Sequence, residues 1–160
     1  MLDIGLGQPV AADETQLTEF SEAELAEWLE NLPLAYGTAK FAHGVALDGT
    51  AASIEELEKV LDEIADIVET QNIAPTDERL ALMVVIFSVY LGEVFRATHG
   101  GAWFHWKIQG NHGLDVCVRS GGSGKAVIFP AKRVLDRIVC GATFNVADYF
   151  RVASAVAGEA

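Results

Sequence analysis

Basic residues are nearly missing from the first half of this 160-residue chain: none precedes Lys40, and residues 1–78 hold only Lys40 and Lys59 against 18 acidic side chains, a net charge of −16. Residues 79–160 hold nine basic and five acidic side chains, a net of +4. A direct nucleic-acid role needs clustered Lys and Arg to neutralise phosphates. The overall charge of −12 argues against that class. What the asymmetry offers is an acidic surface that steers a basic partner, and it carries no reaction chemistry of its own.

Cysteine is as scarce. Cys117 and Cys140 stand far apart with no CxxC partner, which suggests neither a zinc site nor a redox pair and leaves reduced, partly buried thiols as the expectation. A secretory leader needs a basic start and an apolar run. Here Leu2 to Val10 is broken by Asp3, Gly5, Gly7 and Pro9, so the expected location is the cytoplasm. The longest apolar run, Leu80 to Leu91, is interrupted only by Ser88 and falls short of the roughly 18 residues a membrane span requires. It reads as a core helix, and no membrane partner is expected.

Apolar residues make up 51% of the chain, enough for one self-sufficient core. Residues 1–18 read as a loosely attached arm and 19–160 as one domain. Ser21 and Glu24 have capping-box spacing, with Leu25, Trp28 and Leu29 behind them, and Asn31, Pro33 and Gly37 are expected to end that helix. Ser53 and Glu56 repeat the spacing. Behind them Ile54, Leu57, Leu61, Ile64 and Val68 recur at three- and four-residue steps, while Glu55, Glu58, Asp62, Asp66 and Glu69 fall on the reverse face with a Glu55–Lys59 pair. A further helix starts at Thr76 or Asp77 and closes at Gly100 or Gly101. It is apolar nearly all round, so other elements must surround it.

After Gly101 the period becomes two. Phe104, Trp106 and Ile108 are expected on a buried face with His105 and Lys107 opposite. Gly110 to Gly113 reads as a turn, and Leu114, Val116 and Val118 continue the buried face opposite Asp115, Cys117 and Arg119. A loop from Ser120 to Gly124 leads to a third strand, Ala126 to Phe129. Pro130 opens a helix running to Gly141, and Asn145 caps a last one. The fold class is therefore α+β: N-terminal helices including a central buried one, a three-stranded antiparallel meander, then two C-terminal helices.

Few constellations suggest chemistry. Gly121-Gly122-Ser123-Gly124-Lys125 ends like a phosphate loop, but Arg119 and Ala126 stand where that motif needs glycine and Ser or Thr, and a strand follows. His99, His105, His112 and Cys117 match no zinc spacing, so no metal or other cofactor is expected. Lys132, Arg133 and Arg137 read as a solvated helix face. Glu93 is the carboxylate of interest, because it sits in an apolar helix and must find a partner, with Arg96, His99 and the Trp103 indole nearest in sequence. No nucleophile or second polar group stands at catalytic spacing, so no catalytic residue is assigned.

Tyr90-Leu91-Gly92-Glu93-Val94, then Gly100-Gly101-Ala102-Trp103, then Phe129-Pro130 with Lys132-Arg133-Val134, Ile138 and Gly141 together resemble the pattern of an uncharacterised family of small bacterial proteins. Leu47-Asp48-Gly49-Thr50 and the segment Ser53 to Glu58 extend the likeness, which covers roughly residues 41–150. The resemblance implies no activity and leaves Gly92, Glu93, Gly100, Gly101 and Trp103 as motif positions without a role.

Two classes of function remain. The first is a non-enzymatic acidic interaction protein, of the immunity or antitoxin kind, docking a basic protein through Glu55, Glu58, Asp62, Asp66 and Glu69. The alternative is a small-ligand pocket or enzyme near Tyr90, Glu93, His99, Trp103 and His105, the one segment rich in both apolar and polar groups. Neither fixes an oligomeric state.

Overall fold

The near-continuous apolar surface of the longest helix, α4 (Glu78–His99), dictates the architecture, since it must be covered on most sides. The computed structural model describes residues 17–106, 116–122 and 126–158. In it Phe87, Tyr90, Leu91 and Phe95 of α4 are fully buried, and Val84 and Val94 nearly so. Helices α1 (Glu22–Leu29), α2 (Leu32–His43) and α3 (Ile54–Thr70) precede α4; α5 (Pro130–Cys140) and α6 (Val146–Ala157) follow the sheet. Of the described helices α4 alone has the length and apolarity to cross a membrane, but most of its apolar stretch is buried inside the protein. It is a core helix.

The sheet has four antiparallel strands in the order β1 (Leu17–Glu19), β2 (Ala102–Trp106), β3 (Val116–Arg119) and β4 (Val127–Ile128). The expected meander is thus joined by a further edge strand. Leu17 and Thr18, assigned by sequence to the arm, pair there with Trp106 and His105. The face assignment also changes. Trp103 lies opposite Val118 and Phe104 opposite Cys117, so Val116 and Val118 share a face with Trp103 and His105, not with Phe104 and Trp106. Trp103, Val116, Val118 and Ile128 join the main core, whereas Trp106, Cys117, Val127 and Phe129 form a second cluster. Both faces are apolar, and alternation alone could not say which looks toward α4. The turn at Gly110 to Gly113, together with Lys107, Ile108, His112, Leu114 and Asp115, lies outside the described residues, as do residues 1–16, 123–125 and 159–160.

Local signals explain most helix ends. Ser21 and Glu24 close the expected capping box at 2.9 and 3.1 Å. Asp77 accepts from the Arg79 amide at 2.8 Å, and Asn145 from that of Asp148 at 2.9 Å. The helix capped by Ser21 does stop at Leu29, just ahead of Asn31, but a helix not expected from the sequence, α2, begins at Leu32, with Pro33 in its first turn, where a missing N–H costs nothing. Two expectations fail. Ser53 makes no capping bond, because its hydroxyl donates to the Thr50 carbonyl at 2.6 Å and meets the Tyr90 hydroxyl. Lys59 pairs with Glu56 at 3.0 Å instead of Glu55.

Two buried phenols tie the layers together. The Tyr149 hydroxyl accepts the Phe129 N–H at 3.0 Å, and that of Tyr90 accepts the Gly49 N–H at 2.9 Å. Burial pushes Tyr149 up to about 12 from its usual 10.0 and raises Tyr90 as well. A raised acid of this kind contributes stability that is whole below the unfolded value of 10.0 and is lost as pH climbs toward about 12. Alkaline titration should therefore show Tyr90 and Tyr149 ionising together with unfolding. Phenolate absorbance rising fully ahead of any circular-dichroism change would contradict this.

Candidate functional site

The five residues of the expected pocket do not converge. Glu93 and Trp103 meet: the indole N–H donates to Glu93 Oε2 at 2.8 Å, and Arg96, one turn along α4, closes on the same carboxylate at 2.9 and 3.1 Å. Trp103 is 1% exposed and packs edge-on to Trp28 at 5.5 Å. Gly92 makes this possible, since a Cβ there would stand 2.2 Å from two carbons of the indole ring. Gly101 is required for the next step of the path. Its φ of +106° is closed to most residues, and a Cβ would lie 1.9 Å from the Arg119 carbonyl oxygen. The Gly92-Glu93 and Gly100-Gly101-Ala102-Trp103 positions are therefore a latch that turns the chain from α4 into β2 and locks the strand onto the helix.

Tyr90 and His99 point elsewhere, while His105 shares the Trp103 face of β2 but turns to α1 and not to Glu93. Tyr90 is held by Gly49 and Ser53 on the α3 side. His99 bonds Ser154 Oγ of α6 at 2.9 Å between the rings of Phe95 and Phe150, and burial lowers its pKa from 6.5, favouring the neutral imidazole. His105 reaches Glu24 of α1 at 2.8 Å and stacks on Phe20 at 4.3 Å. Ser154 was not singled out in the sequence, and Glu24 was read only as half of a capping box, since each lies far along the chain from the histidine it meets. A cavity of about 530 Å³ opens beside the His99–Ser154 pair, lined by Ile54, Glu55, Thr98, Phe150, Arg151 and Ser154 among others. Among the described residues no three His, Cys, Asp or Glu side chains gather to hold a metal.

The acidic face of α3 is divided. Glu55, Asp66 and Glu69 are exposed and have no basic partner among the described residues. Glu58 departs from the expectation of a solvent-facing row. It receives Arg137 Nε at 2.8 Å and the Val146 N–H at 3.1 Å, so one carboxylate joins α3 and α5 and caps the start of α6. Asp62 receives the other arm of the same guanidinium at 2.6 Å. Nor is the basic triplet of α5 a solvated face: Arg133 and Arg137 are 3% and 2% exposed, with Arg133 lying 4.3 Å over the Tyr149 ring, while Lys132 pairs with Asp136 at 2.6 Å.

No family model matches this sequence, and neither a curated protein nor a solved structure matches it.

Proposed function

We propose that the protein is a cytoplasmic, non-enzymatic partner of a basic protein, of the immunity or antitoxin kind, and that Glu55, Asp66 and Glu69 lead the encounter. The observation that carries this reading is the outward row of exposed carboxylates on α3, in a half-chain of net charge −16. Glu58 and Asp62 serve the fold as well, through Arg137, and are set apart from the docking row. Complementary charge of this kind speeds association and discriminates between partners. Exposed charges are screened beyond about 8 Å at physiological ionic strength, so association should slow steeply with added salt.

Reversal of Glu55, Asp66 and Glu69 to Lys should leave the melting curve near wild type and slow association with a captured basic protein by on the order of tenfold or more. Surface plasmon resonance over a salt series measures it. Wild-type rates for the triple variant, or rates indifferent to salt, would remove the acidic row from function.

A second reading, a small-ligand site, draws on the cavity of about 530 Å³ beside His99 and Ser154, where Glu55 and Arg151 line the same opening. A fragment screen read by amide shifts at Thr98 and Ser154 tests it, and no shift at either would dismiss it.

A further inference from the structure

Two opposite charges line the cavity of about 530 Å³ between the start of α3, the end of α4 and α6, and they do not pair with each other. Its volume lies in the range of small-ligand sites, roughly 300–1,000 Å³. Ala51, Ala52, Ile54, Ala147 and Phe150 make its apolar walls, and among the described residues the only charged side chains lining it are Glu55 of α3 and Arg151 of α6. Lys59, the cation nearest to Glu55 in sequence, takes Glu56 at 3.0 Å instead. Glu55 is thereby left exposed and without a basic partner among the described residues. Arg151 reaches back one turn to Asp148 through Nη2 alone. The two side chains of that pair are 69% and 66% exposed, so water screens it and the bond is weak. The other donors of the guanidinium fork remain for a ligand.

The uncharged polar groups of the lining fit the same pattern. Thr98 donates its hydroxyl to the Val94 carbonyl at 2.8 Å, so toward a ligand its oxygen can only accept. Ser154 Oγ, bonded to His99 Nε2 at 2.9 Å, keeps hydrogen-bonding capacity to spare. An ammonium brings three donors and needs acceptors such as Glu55 and Thr98, whereas a carboxylate suits the planar fork of Arg151. We infer that this cavity binds a small zwitterion of the amino-acid class, its ammonium on Glu55 and Thr98, its carboxylate on Arg151 and an apolar side chain against Ile54 and Phe150. A ligand with one charge would displace water from both lining charges and compensate only one of them, which is unfavourable. The inference rests on the small-ligand reading of this cavity and names its ligand class. Glu55 also belongs to the proposed docking row and Arg151 does not, so Arg151 separates the two.

The test titrates the full isotope-labelled chain with L-leucine and with compounds that each lack one part of it: isocaproate, without the ammonium; isoamylamine, without the carboxylate; and glycine, without the side chain. Amide shifts at Thr98 and Ser154 should show L-leucine binding about tenfold or more tighter than any of the others, the scale of one charge-assisted contact. Glu55→Gln should bring L-leucine down to the affinity of isocaproate while leaving isocaproate no weaker. Arg151→Gln should bring it down to that of isoamylamine while leaving isoamylamine no weaker. Both residues are exposed, so each variant should keep the wild-type melting curve. L-leucine no tighter than isocaproate or isoamylamine, with shifts indifferent to both substitutions, would overturn the zwitterion and leave the cavity as an apolar site. Equal binding of L-leucine and glycine would overturn the role given to Ile54 and Phe150. Silence from all of these compounds would overturn the zwitterion too, and the small-ligand reading falls with it only if the fragment screen is equally silent.

Discussion

Gly92→Ala should cost about 3–5 kcal/mol, a large loss for the addition of one methyl group to a helix. On an isolated helix the same change would be stabilising, by roughly 1 kcal/mol. The sign reverses here because the added carbon would fall 2.2 Å from two ring carbons of Trp103, which is 1% exposed and cannot swing away. Displacing the indole breaks its 2.8 Å bond to Glu93 and disturbs its contact with Trp28. Overpacking accounts for about 1–3 kcal/mol, and the separated carboxylate and indole N–H for a similar amount. Urea melts read by near-ultraviolet circular dichroism measure the loss. The double variant Gly92→Ala/Trp103→Leu should cost clearly less than the sum of the single changes, because the shorter side chain vacates the clash. Strict additivity, or a melting curve unmoved by Gly92→Ala, would show that strand β2 does not rest on α4 in this way.

That latch also shows which parts of the structure a sequence reveals. Glu93 was readable as a carboxylate in need of a partner because Trp103 and Arg96 lie only ten and three residues away. The amphipathic pattern of α3 was equally plain, since Ile54, Leu57, Leu61 and Ile64 all reached the core. Helix α2 was hidden by Pro33 and Gly37, which read as breakers wherever the boundary of the next helix is unknown. With it went the exposed Leu34 and Phe41, which mean nothing until a helix holds them both. The sheet faces were misassigned for a different reason. Trp103 and Trp106 are both buried, so the strand lacks the polar alternate face that alternation relies on. Hardest of all were the roles of Glu58 and Asp62, because the guanidinium that claims them comes from 79 and 75 residues downstream. An acidic row on a helix has the same spacing whether water or a buried arginine faces it.

Arg137 tests that last point most directly, and Arg137→Ala should destabilise the protein by about 3–5 kcal/mol. Its guanidinium is 2% exposed and near the end of α5, where a positive charge also suits the helix dipole. Removing it strands Glu58, whose side chain is only 15% exposed, as a largely buried carboxylate left with a single backbone N–H, that of Val146. Most of the loss belongs to that carboxylate, since Asp62 is 64% exposed and water can replace its bond. Arg137→Met with Glu58→Gln should therefore recover much of the stability: the methionine fills the space, and the neutral amide oxygen can still accept from Val146. Chemical denaturation of the two single variants and the double variant gives the coupling energy. A double variant as damaged as Arg137→Ala would mean that the guanidinium is needed for packing, and that charge compensation at Glu58 is a minor part of how α3, α5 and α6 are held together.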